Sequence, residues 1–482
     1  MLMRPFISIL ILCTITALLI DSSRAEDQWS FITLADWHGA EAFALDPGDA
    51  SSSWTVHLST IQYVKETHGS EMIILPGDSN SGKWDIQEFI DRLDPTMTPQ
   101  EAVLAAGRNC YNTMKDLFSE GGFDTILMAV GDHELGGNAW EVGSSKVLSL
   151  PEYRQAFTQG FNQDSDGNFL FDASIGSVAS RPLGTIYENT SYAYRHKNAL
   201  FVTVDAFEQV STDTPFLDRE NGLGGEGIVT CTVNGVHLTW FENILKEASD
   251  DETIKHIFVQ AHLPVIQPVR KVSCSGQFMD YGEDSDFWRI MNTYGVDVYF
   301  AGEVHANTAT KSDTSNLIQV VSRGNSFNNF LKVQVSDDII DIISYNEIGD
   351  EARWNNNYTI HGHMTIDKSS SSIAITSSGA LELLDRDSAL IHLTFEEVVP
   401  LESRPVLGML HDDFGDKLVG VSITMRGVKC TESMPNLGSF GRKYLIFLSH
   451  DFETLFQSNH DHFQLQNNST PKLPTWTLYL EE

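Results

Sequence analysis

The stretch Thr125-Ile126-Leu127-Met128-Ala129-Val130-Gly131-Asp132-His133-Glu134 decides how this chain is read. A β-prone run, too short for a helix, stops at a glycine and delivers an acid, an imidazole and a second acid. Four more stretches are built the same way. Phe31–Leu34 ends in Ala35-Asp36-Trp37-His38-Gly39, and Met72–Leu75 ends in Pro76-Gly77-Asp78-Ser79-Asn80. Ile257–Gln260 ends in Ala261-His262, and Val296–Phe300 ends in Ala301-Gly302-Glu303-Val304-His305. With Leu200–Val204 and Leu317–Val321 they make seven short apolar runs between residues 30 and 345.

Helical patterns at Trp54–Glu66, Pro99–Phe118 and Leu238–Ala248 separate these runs. Strands alternating with helices predict an α/β domain with much of its sheet parallel. The runs are continuously apolar, as expected of strands covered on both faces. In such sheets the carboxyl ends of the strands line the crevice where ligands bind. The five chemistry-bearing ends should therefore converge.

The converging set is Asp36, His38, Asp78, Asp132, His262, Glu303 and His305. Four carboxylates held close together repel one another unless cations lie between them. Carboxylate and imidazole ligands suit two divalent ions roughly 3.5–4 Å apart. Gly39, Gly77, Gly131 and Gly302 are expected to give the backbone a tight turn beside each acid.

As an ordered set these motifs resemble the calcineurin-like metallophosphoesterases, whose signature runs Asp-x-His, Gly-Asp, Gly-Asn-His-Glu/Asp, a lone His and Gly-His-x-His. The resemblance covers roughly residues 30–345 and implies a β-sandwich flanked by helices. It implies that one ion takes Asp36, His38 and His305 and the other Asp132, His262 and Glu303, with Asp78 bridging. His133 would stand off the metals as the catalytic group near the leaving oxygen. The chain departs from the family pattern where Asp132 replaces Asn and Glu303 replaces the first His of the last motif. Both changes fall on one ion and make its site harder, favouring Mn, Mg, Ca or Fe over zinc. Ser81-Gly82-Lys83 stands where protein phosphatases carry Asp-Arg-Gly and purple acid phosphatases a Tyr, so both subclasses are disfavoured.

The expected activity is hydrolysis of a small phosphorylated substrate, by phosphomonoesterase or phosphodiesterase chemistry, with metal-activated hydroxide as nucleophile. Two other classes stay open on the same scaffold. One is a non-catalytic secreted binding or adhesion protein, and the other a nucleotidase or nuclease. A formal charge of −35 argues against long nucleic acid as a partner.

Residues 1–25 read as a signal peptide, with Arg4, an apolar run from Phe6 to Ile20, and Ser23-Arg24-Ala25 before the cut. No later stretch is long enough to span a membrane, so a secreted, extracellular protein is expected. Cys110, Cys231, Cys274 and Cys430 remain after the leader, an even number compatible with two disulfides. Sequons at Asn189, Asn357, Asn467 and Asn468 fit a glycoprotein.

The catalytic domain is expected over residues 26–365. Phe330–Val335 and Ile339–Tyr345 should form an antiparallel pair closing it. Ser369–Ser372 and Ser377-Ser378-Gly379 read as a linker, and residues 366–482 as that linker plus a small β-rich module. Glycan or surface contact is the partner expected of the module.

Overall fold

Phe31 and Ile32 point to opposite faces of one strand, yet both are fully buried. That pair explains the architecture, because both faces of the strand are covered. The computed structural model describes residues 28–38, 41–45, 53–138, 140–209, 229–267, 269–271, 277–324, 328–347 and 356–384, and short strands between 391 and 480. Gly39 and Cys274 lie outside the described residues.

Thirteen strands build two facing sheets. They are β1 (Trp29–Thr33), β2 (Met72–Leu75), β3 (Ile126–Met128), β4 (Tyr192–His196), β5 (Ala199–Thr203), β6 (His256–Gln260) and β7 (Val298–Ala301), followed by β8 (Thr308–Lys311), β9 (Ile318–Val321), β10 (Asn329–Val335), β11 (Ile339–Glu347), β12 (Tyr358–Asp367) and β13 (Ala374–Gly379). The first sheet runs β13-β12-β11-β10-β1-β2-β3 and the second β8-β9-β7-β6-β5-β4. The strands that carry the five motifs are parallel to their motif-bearing neighbours, β1 to β2, β2 to β3 and β6 to β7. The second sheet extends this parallel core through β5–β6 and β7–β9, and the outer pairs are antiparallel, including the expected β10–β11 pair.

One core fills the space between the sheets. Phe31 meets Phe201, Phe258 and Phe300 edge-on, with ring centroids 5.1–5.9 Å apart, an arrangement favoured by the ring quadrupoles. The residues between them in sequence, such as Ile32, Ile73, Met128, Val202 and Val259, join the helices in a second apolar cluster. Helix Pro99–Glu120 contributes Val103, Met114, Leu117 and Phe118, while Gly235–Asp250 contributes Phe241, Ile244 and Leu245. The first of these helices starts at a capping box, in which Thr98 accepts from the Glu101 amide and Glu101 accepts from Thr98. The result is a helix–sheet–sheet–helix sandwich, the α/β class the sequence pattern predicts and the layering the resemblance implies.

The linker expectation fails. Ser377, Ser378 and Gly379 belong to β13, which pairs with β12 through six residues from Ala374 to Gly379. The strand lies at a sheet edge, so alternate residues face water and its composition reads as polar. Beyond it Leu381 and Leu384 are buried, and the Arg270 guanidinium donates to the Ala380 carbonyl at 3.0 Å. The packed layers therefore continue to Leu384. Past residue 390 the described segments are short antiparallel strands, as expected of a β-rich tail. One of them, Lys417–Val419, pairs with Val269–Lys271.

No disulfide is formed among the described residues. Cys110 is buried in helix Pro99–Glu120, and the buried Cys231 thiol faces Gln277 Oε1 at 3.7 Å. Among the described residues no helix is long and apolar enough to cross a membrane.

Candidate metal centre

The seven residues singled out at the strand ends come together. Asp36, His38 and His305 form one donor group, and Asp78, Asp132, His262 and Glu303 a second. Asp78 also groups with His38 and His133, so its carboxylate stands between the two. Asp78 Oδ2 lies 3.2 Å from His262 Nε2 and 3.8 Å from the Nε2 atoms of both His38 and His133. His262 Nε2 further faces Glu303 Oε2 at 3.3 Å and Asp132 Oδ1 at 3.6 Å, and His305 Nε2 faces Asp36 Oδ1 at 3.4 Å.

Each carboxylate is held by one oxygen to a backbone amide, which for all but Asp132 comes from another loop. Asp78 Oδ1 accepts from the His133 amide at 3.2 Å and Asp36 Oδ1 from the Glu303 amide at 3.0 Å. Glu303 Oε1 accepts from the Gln277 amide at 2.9 Å, and Asp132 Oδ2 from the Asn138 amide at 3.3 Å. In Asp78, Asp132 and Glu303 the other oxygen faces His262 Nε2, whereas in Asp36 the amide-bonded Oδ1 is also the one that faces His305. Asp36 Oδ2 and His38 Nε2 are buried and make no hydrogen bond.

Strain marks the same place. Asp36, His38, Asp78, Glu303 and His305 all adopt positive φ, between 46° and 68°, and they are five of the nine non-glycine residues that do so among the described residues. Each costs on the order of 1 kcal/mol or more, and such strain persists where a site requires it.

The glycines act in two ways. Gly77 has φ 91° and supplies the expected turn. Gly131 and Gly302 do not need left-handed backbone. A Cβ on Gly131 would lie 2.1 Å from Asp78 Oδ1, and one on Gly302 would lie 2.6 Å from Asp36 Oδ2. Those two are small so that a carboxylate can approach.

Three imidazoles are aimed by carbonyls, His38 Nδ1 lying 3.3 Å from the Asn80 oxygen. His262 Nδ1 sits 2.8 Å from the Pro76 oxygen and His133 Nδ1 2.9 Å from the Ser81 oxygen. An Nδ1–H donated there turns each Nε2 inward, the orientation that ligating histidines need. The sequence supplied no partner for His133, because a carbonyl acceptor has no residue-type signature.

Glu134 is a second unforeseen contributor. Fully buried, it accepts from the amides of Asp78, Ser79 and Gly131 at 2.8–2.9 Å, from Ser79 Oγ at 2.7 Å and from Asn80 Nδ2 at 3.0 Å. It thereby ties the loop after β2 to the loop after β3.

The electrostatics are those of an anionic cavity. Burial pushes Glu134 up, and Asp78 adds to this, to about 7. Burial would lower the His133 imidazole, but the Asp78 and Asp132 carboxylates outweigh it and raise it to about 9. For His262 the same contest leaves the imidazole well above its ordinary range. Burial pushes the Asp132 and Asp36 carboxyls up, yet the facing imidazoles outweigh it and hold both low. Crowded anions, inward lone pairs and unpartnered buried donor atoms suit divalent cations. The group fits two such ions.

No known family's sequence profile matches the chain, and no curated protein sequence matches it. Several solved structures resemble it, phosphatases among them. A dimetal phosphatase from Danio rerio aligns at 12% identity over 71% of this chain and 100% of that one, with a TM-score of 0.42. PhoD aligns at 12% identity over 74% and 73%, with a TM-score of 0.47. A purple acid phosphatase from yellow lupin (Lupinus luteus) aligns at 12% identity over 70% and 54%, with a TM-score of 0.39.

Proposed function

We propose that this chain is a secreted, calcineurin-like metallophosphoesterase that hydrolyses phosphate esters of small molecules. The observation that carries the proposal is the position of Asp78. Its carboxylate stands at the junction of two donor groups, within 3.8 Å of three inward-facing imidazoles. Asp36, His38 and His305 would hold one divalent ion, and Asp132, His262 and Glu303 the other, with Asp78 shared. When bound, two such ions would make hydroxide available at neutral pH and would offset the charge of the reacting phosphoryl group.

The protein's own residues do the rest. Backbone amides pin one oxygen of each acid, which fixes the donor directions before substrate arrives. His133, held by the Ser81 carbonyl, donates a proton or hydrogen bond to the departing alcohol oxygen. Glu134 keeps the Asp78 and His133 loops in register. Export rests on the signal-like residues 1–25.

The test is metal analysis of the purified protein together with hydrolysis of p-nitrophenyl phosphate and bis-p-nitrophenyl phosphate. The expected result is two ions per chain and turnover of one ester or both. One ion or none, with no turnover, would instead identify a binding protein on the same scaffold.

A further inference from the structure

The imidazole of His133 needs a fixed acceptor, and here that acceptor is the Ser81 carbonyl at 2.9 Å. A carbonyl positions a ring only as well as its own loop is held. Gly82, the next residue, has φ 65° and lies so close to His133 that a Cβ would fall 1.8 Å from the His133 carbonyl oxygen. Ser81 and Gly82 therefore form a bed directly beneath the imidazole-bearing residue.

One side chain braces that bed from both sides. Tyr153, fully buried on helix Leu150–Phe157, donates its hydroxyl to the Gly82 carbonyl and accepts from the Trp84 amide at 3.0 Å. The same hydroxyl lies 3.0 Å from Asp85 Oδ1, while Ser145 Oγ donates to Asp85 Oδ2 at 2.6 Å. The Tyr153 ring stacks with Trp84, centroids 5.9 Å apart. Its edge also runs under Gly136, where a Cβ would come within 3.1 Å of Cε2, and the Gly136 amide donates to the His133 carbonyl at 3.1 Å. Tyr153 thus touches the chain before and after the imidazole without reaching the centre.

We propose that Tyr153 is a positioning residue, holding the Ser81–Gly82 bed so that His133 Nε2 stays aimed at the leaving oxygen. The proposal rests on the role given to His133 above. A poor leaving group, an alkoxide, needs that proton more than p-nitrophenolate does, so the two substrates separate positioning from general damage.

The experiment compares wild type, Tyr153→Phe, His133→Asn and the double variant on p-nitrophenyl phosphate and methyl phosphate, or on the corresponding diesters if those are the better substrates. Tyr153→Phe should keep two ions per chain and lose less than about threefold on the aryl ester, but about tenfold or more in kcat on the alkyl ester. In the His133→Asn background it should cost less than about twofold, since two residues acting through one group are not additive. The Nδ1–H proton resonance of His133 should broaden by faster exchange in Tyr153→Phe. Should that variant fold poorly, Asp85→Asn, which loosens the same hydroxyl, should give the same alkyl-selective pattern in smaller degree.

Equal losses on both esters, or an undiminished loss in the His133→Asn background, would overturn the proposal. Wild-type behaviour of Tyr153→Phe beside a slowed His133→Asn removes the positioning role alone. An aryl-to-alkyl ratio unchanged by His133→Asn removes the leaving-group role itself, and the proposal with it.

Discussion

Two buried charged clusters occupy opposite ends of the same strands, and they are built differently. At the carboxyl ends lies the centre formed by Asp36, Asp78, Asp132 and Glu303 with their imidazoles. At the amino ends, Asp297 just before β7 meets His256 at the start of β6 and Lys368 just after β12. Asp297 Oδ1 accepts from Lys368 Nζ at 2.7 Å and Oδ2 from the Ile257 amide at 3.1 Å. Lys368 Nζ also donates to the Lys255 carbonyl, and His256 Nε2 lies 2.7 Å from the Ser336 carbonyl. One carboxylate meets one ammonium, and both carboxylate oxygens are hydrogen-bonded. The other end has four acids, left-handed backbone and donor atoms with nothing to bind. The difference teaches what each is for. The amino-end cluster neutralises its one acid and fastens the sandwich, with His256 Nδ1 its one unbonded nitrogen, whereas the carboxyl-end cluster gathers acids enough to suit cations.

The largest expected effect breaks the carboxyl end at its junction. Asp78→Asn should reduce turnover to below a few per cent of wild type while the fold remains. Circular dichroism and metal content check the two halves of that statement. Full turnover with one carboxylate oxygen gone would mean that Asp78 does not join two ions.

His133→Asn should come next, lowering turnover by ~10²–10⁴ and leaving the ion count unchanged, as for loss of a proton donor. If metal is lost instead, the imidazole belongs to the donor set. Its 3.8 Å separation from Asp78 Oδ2 would then be a ligand geometry and not a stand-off.

At the amino end the expected sign is reversed. Asp297→Asn should leave kcat within about twofold but lower stability by about 3 kcal/mol, because Lys368 keeps a charge without its partner. The pH dependence follows from the direction of the shift. Burial raises the Asp297 carboxyl, but His256 and Lys368 outweigh it and hold it below its ordinary value. Its contribution is therefore fully present above about pH 4, the unfolded value, and is lost as pH falls towards the lower native one. Urea unfolding of wild type should weaken over that interval more steeply than that of Asp297→Asn. Added divalent metal should stabilise both proteins equally, since it binds at the other end.

What could be read beforehand follows from the same contrast. Asp36, Asp78, Asp132 and Glu303 were legible because each interrupts an apolar run at its end, where nothing but a ligand site gathers acids. The layers were legible because Phe31 and Ile32 are both apolar on a strand whose faces alternate. Backbone acceptors such as the Ser81 oxygen leave no trace in residue identity. Tyr153 reads as an ordinary core aromatic on an amphipathic helix, and its hydroxyl partners are 68 and 71 positions away. β13 has the sequence of a linker because an edge strand with serines on its wet face shares that composition.

The smallest expected effect sharpens the comparison inside the carboxyl end. The resembled family would place Asp, Asn and two His around the second ion, with one formal negative charge. Here Asp78, Asp132, Glu303 and His262 bring three. Glu303 and Asp132 each give one oxygen to a backbone amide and turn the other towards His262 Nε2, at 3.3 and 3.6 Å. Such a set is harder and more anionic, so it is expected to favour Mn²⁺, Mg²⁺, Ca²⁺ or iron over Zn²⁺ and to hold product phosphate less firmly. The pair Asp132→Asn with Glu303→His should keep two ions, move the preference of that site towards zinc, and change turnover by less than about tenfold in the preferred metal. Competition between Mn²⁺ and Zn²⁺ for the metal-free protein, read by elemental analysis, checks the shift without reference to activity. An unchanged zinc share would mean that neither carboxylate coordinates. The excess charge at this end of the sandwich would then serve something other than a cation.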